Sequence, residues 1–261
     1  MLHVLGQQYP GAVQALLTTL NDRYQRVVMH GVRDEVLQAQ ADAAGLPLWR
    51  VQLPDECPNE TYEARMRDAC TRAVREEFTH VAFGDLYLAD IRRYREERLA
   101  GTGLTPIFPL WQIQTRQLAE EMMTGGLRAR LSVVDTRVLD QSFAGREFDA
   151  ALLADLPEHV DPCGENGEFH TCAYAGPMFR EVLRLSVGDR VDRAPFVFRD
   201  LVPAGSAWQS VVGVPRCAET SAAPGAQGET RENAACMRPR SNAVRQDAAL
   251  GECSGTFTTD C

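Results

Sequence analysis

The sequence has no run of about 18 apolar residues, the minimum for a helix that crosses a bilayer. Its N-terminus lacks the basic start and apolar core of a signal peptide. Neither a membrane span nor an export signal is expected, so the expected location is cytoplasmic. Positive charge is also in short supply: Lys and Arg total 27 against 36 Asp and Glu, a formal net charge of -9. Phosphate backbones and anionic lipid surfaces are neutralised by clustered cations, so the balance argues against nucleic acid or membrane as a partner. A compact disulfide framework is missing too. Of the 8 cysteines, Cys217, Cys236, Cys253 and Cys261 lie in a polar tail and the rest follow no framework spacing, so all read as reduced thiols. No internal repeat of about 20 to 50 residues marks a solenoid.

What is present is an ordinary globular composition, 44% hydrophobic and 24% charged over 261 residues, enough for one large core or two modest ones. From Ala12 to about Val134, short apolar runs alternate with amphipathic stretches, the sequence form of an α/β unit with a parallel sheet covered by helices. The runs Ala12 to Thr19, Leu48 to Leu53, Val81 to Gly84, Thr105 to Phe108 and Arg128 to Val134 have strand length. Over Thr61 to Phe78, Tyr62, Met66, Ala69, Ala73 and Phe78 recur at helical spacing and predict a helix lying on the sheet. Asp34 to Ala44 ends at Gly45, and Thr115 to Thr124 ends at Gly125 and Gly126, as helices do where the chain leaves in left-handed geometry. After Asp135 the segments shorten between Gly and Pro, which predicts a smaller α+β subdomain over residues 135–203. Residues 204–261 lack apolar periodicity, and disorder is expected there.

Two stretches concentrate chemistry. In Phe83 to Glu97 an apolar strand ends at Gly84 and Asp85 before a helix, and ligands of open parallel sheets bind beyond the carboxyl ends of the strands. The same pair also reads as a glycine turn with an aspartate capping the helix. Arg92, Arg93, Arg95 and Arg98 follow, as a solvated face or as the source of one contact to a phosphate or carboxylate. Cys163 to Thr171, CGENGEFHT, packs two carboxylates, an imidazole and two glycines into nine residues. Glu165 and Glu168 are suited to magnesium, ribose hydroxyls or an ammonium group, and His170 to orienting or moving a proton. The competing reading is a polar hairpin anchored by Phe169. A zinc site of His159, Cys163, His170 and Cys172 is disfavoured, because Cys163 and Cys172 stand too far apart for a zinc knuckle. His30 in Met29-His30-Gly31 reads as a structural histidine on its own, and Trp111 as core or wall.

Taken together, TTLNDRYQRVVMHGV, QADAAGLPL, FGDLYLADIRRYREE, IFPLW and CGENGEFHT resemble, in order and spacing, the diphthine–ammonia ligase family and its relatives called adenine nucleotide alpha hydrolases. The resemblance runs from Met1 to about Pro203, and the last string is its most specific part. It implies an ATP pyrophosphatase-like (HUP) nucleotide-binding domain over residues 1–134 and a substrate subdomain over 135–203. It implies ATP and Mg2+ as cofactors. The implied reaction adenylates a carboxylate with loss of pyrophosphate, after which ammonia displaces AMP. The carboxylate belongs to a modified protein histidine, as in diphthine, or to a small molecule. By the same resemblance Met29, His30, Gly84, Asp85 and Arg95 fall in the nucleotide site, and Glu165, Glu168 and His170 in the catalytic, substrate-facing part of the cleft.

The family opens with a strand, a serine–glycine–glycine–lysine–aspartate–serine phosphate loop and a helix. Met1 to Leu5 resembles the middle of that helix. The resemblance therefore implies a chain without the first strand and loop, impaired as a ligase. The alternative is a non-catalytic adenine-nucleotide-binding remnant or interaction protein.

Overall fold

The computed structural model describes residues 1–204 and 234–237. Helix α1 (Leu2–Gln8) leads into β1 (Val13–Asn21), which is buried along almost all its length, as expected of an interior strand in a sheet covered on both faces. A short β2 (Arg26–Val27) precedes α2 (Asp34–Ala44), which ends on Gly45 in the left-handed region at φ 71°. Then come β3 (Leu48–Leu53), α3 (Asn59–Arg75), β4 (His80–Ala82), α4 (Ala89–Leu99), β5 (Thr105–Ile107) and α5 (Thr115–Thr124). On α3 the expected stripe of Tyr62, Met66, Ala69 and Ala73 packs on the core that includes Val51, Leu53 and Phe78.

In the first sheet β1 pairs parallel with β3, and β4 parallel with β5. Between β1 and β4 lies β10 (Ala234–Met237), antiparallel to both, so β1, β3, β4 and β5 all point the same way. Residues 234–237 thus belong to the sheet. The remainder of the tail from residue 205 on, where disorder is expected, lies outside the described residues.

The second sheet is antiparallel throughout, in the order β7-β6-β9-β8, built from β6 (Arg128–Asp135), β7 (Phe169–Ala175), β8 (Leu185–Arg193) and β9 (Phe196–Pro203). Short α6 (Ala150–Asp155) is capped by Asp149, whose Oδ1 accepts the Leu152 N–H at 2.8 Å. Arg128 to Val134 reads from its sequence as a further strand of the first unit. Both its edges instead pair with strands that follow it, β7 and β9, because an apolar run shows that a strand will be buried and not which strands it will join.

The two sheets meet through a shared apolar cluster in which Leu20, Val27, Val32, Val36 and Leu37 pack with Cys172 and Leu201. Each fully buried leucine there contributes about 1.5–3 kcal/mol. Gln40 of α2 adds a cross-link, donating from Nε2 to the Ala173 carbonyl over 2.7 Å. Burial in this contact pushes the Cys172 thiol up to about 12.

Candidate functional site

The common direction of β1, β3, β4 and β5 brings their carboxyl ends to one side, the side on which open parallel sheets bind ligands, and the loops that follow β4 and β5 lie there. Leu86, 1% exposed, is where three separate stretches of sequence meet. Its N–H donates to Glu165 Oε1 at 2.6 Å, and its carbonyl accepts the Gln112 N–H at 2.7 Å. The Tyr87 N–H also reaches Glu165 Oε1, at 3.3 Å, and the Tyr87 hydroxyl donates to Asn166 Oδ1 at 3.2 Å. Burial first and the nearby Asp161 second push the Tyr87 phenol up to about 12. Gln112 holds a left-handed backbone at φ 62°, a conformation that costs a non-glycine residue free energy and persists only where its surroundings enforce it.

Asp85 and Arg95 form a buried two-toothed ion pair, with Arg95 Nε donating to Oδ2 at 2.7 Å and Nη2 to Oδ1 at 3.0 Å. Arg95 also lies over the Phe83 ring, 4.4 Å from its centroid. Asp85 therefore does not cap α4, whose N-cap is Leu88 without a side-chain bond. Arg92, one turn before Arg95 on the same helix, sits over both Phe108 and Trp111, at 4.6 and 4.7 Å. The sequence offers Arg92 as one of four arginines without singling it out; its spacing of three from Arg95 is the signal that puts both guanidinium groups on the strand-end side. All 27 basic side chains of the chain are arginine, so this wall is one of planar, delocalised cations.

In the CGENGEFHT loop the two glutamates have different surroundings. Glu165 reaches out to the loop after β4. Glu168, 5% exposed, turns inward and accepts from the Asp161 N–H at 3.0 Å, the Asn166 N–H at 3.0 Å and Asn166 Nδ2 at 2.8 Å. Asp161 completes the turn by accepting from the Cys163 N–H at 2.8 Å. Phe169, 1% exposed, anchors the start of β7.

One residue further on, His170 meets His30. The ring centroids are 4.3 Å apart and the planes tilted by 37°, so the two sheets bring together imidazoles 140 positions apart in the sequence numbering. His30 sits in the tight turn after β2, preceded by Met29 at φ 67°. Gly31 follows at φ 65°, where a Cβ would stand 2.7 Å from Phe198 Cδ1. The turn therefore needs glycine for both its backbone conformation and its close approach to β9.

Among the described residues no three His, Cys, Asp or Glu side chains gather as for a metal ion. Asp85 is occupied by Arg95 and Glu168 by three donors. These carboxylates do not fit a magnesium site built from protein ligands. His159 contacts the Val138 carbonyl and Cys163 the Thr115 carbonyl, each away from Cys172 beside Gln40. No helix among the described residues is long and apolar enough to cross a membrane.

Residues 114–198, which include α5, β6 and the CGENGEFHT loop, match the family model of the diphthamide synthase C-terminal domain. The chain is 28% identical over 190 residues to a diphthine–ammonia ligase of Danio rerio, covering 66% of this chain and 73% of that protein. It is 26% identical over 174 residues to one of Homo sapiens, covering 60% and 63%. A diphthine–ammonia ligase of Schizosaccharomyces pombe is 24% identical over 189 residues, which are 66% of this chain but 31% of that longer protein. The chain thus spans about a third of the fission yeast relative and under two thirds of the human one. The chain is thus similar to diphthine–ammonia ligases, and the matched residues 114–198 carry the Cys163 to Thr171 loop that reaches Leu86 through Glu165.

Proposed function

We propose that the chain binds adenine nucleotide in the cleft beyond β4 and β5 and serves AMP-forming amide synthesis of the kind its relatives are named for. The observation that carries this reading is the convergence at Leu86, where Glu165 of the domain-model region and Gln112 clamp the loop that follows Gly84 and Asp85. A loop held by its backbone on both sides is preorganised for a ligand, which lowers the entropic cost of binding.

In the proposed reaction a carboxylate oxygen attacks the α-phosphorus of ATP and pyrophosphate leaves. Ammonia then attacks the acyl carbon, the bond to the AMP oxygen breaks with its electron pair, and the nitrogen loses a proton. The acyl donor is a carboxylate on a small molecule or on a modified protein histidine, and ammonia is the acyl acceptor. We assign the removal of that proton to His170, whose contact with His30 supports the reading. Glu165 positions the loop. Glu168 shapes the turn that carries Glu165, and Asp85 fixes Arg95. Met29, His30 and Gly84 line the nucleotide side of the cleft.

Calorimetric titration with ATP and AMP, together with AMP formation from ATP in the presence of carboxylates and ammonia, tests the reading. Nucleotide binding with AMP formation is the expected result. Binding without turnover would favour a non-catalytic nucleotide-binding protein, and a folded chain that binds neither nucleotide would overturn both.

A further inference from the structure

Buried Arg26 and Asp200 form a cluster with half-buried Arg33 between the two sheets; Arg33 and Asp200 lie outside the motifs that the sequence singles out, and Arg26 lies inside TTLNDRYQRVVMHGV with no role assigned to it. Arg26 Nη1 donates to Asp200 Oδ1 at 2.9 Å and also to the Gly31 carbonyl at 2.8 Å, while Nη2 reaches Asp200 Oδ2 at 3.2 Å. Arg33 Nε donates to both Asp200 oxygens, at 3.0 and 3.1 Å. The side chains of Arg26 and Asp200 are 4% and 6% exposed, so these bonds act where water screens them little.

The cluster lies beside the histidine pair for a reason of register. Val133 of β6 stands opposite His170 on one side and Phe198 on the other, so His170 and Phe198 share one face of the second sheet. Asp200, two residues beyond Phe198 on β9, projects from that same face. The hairpin of residues 26–33 presses onto it, with Gly31 against Phe198 and Arg26 and Arg33 on Asp200. His30 is the residue between the Arg26-bonded Gly31 and the left-handed Met29.

We infer that Asp200 is a positioning residue: through Arg26 and the Gly31 carbonyl it fixes the turn that holds His30 against His170. This rests on the reading of the cleft as a nucleotide site only for its consequence, since the ring contact is measurable without nucleotide. A carboxylate that orients a histidine through an intervening guanidinium and peptide keeps the imidazole in one place. Loss of the carboxylate releases the turn although neither histidine has changed.

The test uses Asp200→Asn and Arg26→Lys in the full chain. The lysine variant keeps a cation against Asp200, and so keeps the fold, but cannot span Asp200 and the Gly31 carbonyl as the guanidinium fork does. In the unaltered chain, a ring-to-ring nuclear Overhauser effect between His30 and His170 is expected. In both variants it should fall several-fold, with ATP affinity weakened about tenfold. An undiminished effect in folded Arg26→Lys protein would overturn the positioning role whether or not ATP binds. If the unaltered chain shows the ring contact, the lysine variant loses it and neither binds ATP, the positioning role stands and the nucleotide reading falls.

Discussion

The Leu86 N–H donates to the carboxylate of Glu165 over 2.6 Å across 79 positions of sequence. This bond ties the loop after β4 to the loop before β7, and therefore one sheet to the other. Hydrogen bonds to charged groups contribute about 1.5–3 kcal/mol each. Glu165→Ala is expected to lower unfolding free energy in urea by about that much. It should also speed amide hydrogen exchange at Leu86 and Tyr87 while leaving the β1 amides protected. Unchanged exchange at Leu86 would show that the loop is held by Gln112 alone.

Glu168→Gln separates a chemical from a structural part for the second glutamate. From sequence, Glu168 is a catalytic candidate on the substrate side of the cleft. Its three donors give it a full structural occupation. Gln must turn an NH2 toward one N–H, so the variant is expected to lose about 1–3 kcal/mol of stability. Any loss of AMP formation should be restored in part by conditions that stabilise the fold. Turnover abolished in a protein of unchanged melting temperature would return Glu168 to direct chemistry.

Gly31→Ala is expected to destabilise the chain by about 1–3 kcal/mol, because a side chain at φ 65° is strained and its Cβ would meet Phe198 at 2.7 Å. Phe198→Leu in the same chain should recover part of the steric loss and none of the backbone strain. A calorimetric melt of the single and double variants measures the two parts.

Acid stability should depend on Asp200. Burial raises its carboxyl, but hydrogen bonds from Arg33 and Arg26 outweigh this and leave it below the ordinary carboxylate range. A depressed folded-state value means the stabilisation is fully present above the unfolded value of about 3.9 and is lost as pH falls through the folded one. Asp200→Asn should therefore be less stable than the unaltered chain at neutral pH, by about 3–5 kcal/mol for a buried charge left without its partner. The gap should narrow below about pH 4. A gap constant with pH would mean that the loss comes from packing.

Elements governed by local spacing were legible in the sequence. Leu48–Leu53, Asp34–Ala44 and Thr115–Thr124 have the ends that apolar period and glycine punctuation imply. Phe169 could be read as an anchor because an apolar residue in a polar loop has few other uses. Relationships set by pairing at a distance were not legible. The sheet that β6 joins depends on β7 and β9, and the bond of Arg26 to Asp200 spans 174 positions. Among 27 basic and 36 acidic residues, nothing local marks those two as partners. His30 and His170 were each selected separately, and only the fold makes them a pair.

The tail provides the sharpest contrast between composition and fold. Composition implies that residues 204–261 can be removed without harm, since they lack an apolar period. Yet Ala234–Met237 pairs with β1 through Leu16↔Ala235 and Leu17↔Ala234, and with β4 through Ala235↔Ala82 and Cys236↔Val81. It is the strand that connects β1 to β4. Without it, the facing edges of two buried strands lose their backbone partners, and an unpaired N–H or carbonyl away from water is costly. Removing residues 204–261 is therefore expected to cost about 2–4 kcal/mol, a fall in melting temperature of roughly 5 to 15 °C. The β4 amides should lose hydrogen-exchange protection before those of β6 and β7, which pair wholly within the second sheet. A shorter deletion beginning after Met237 should leave the melting temperature where it was, which separates the strand from the sequence beyond it. If removal of residues 204–261 leaves both the melting temperature and β4 protection unchanged, β10 contributes nothing to the sheet, and β1 and β4 must satisfy their edges in another way.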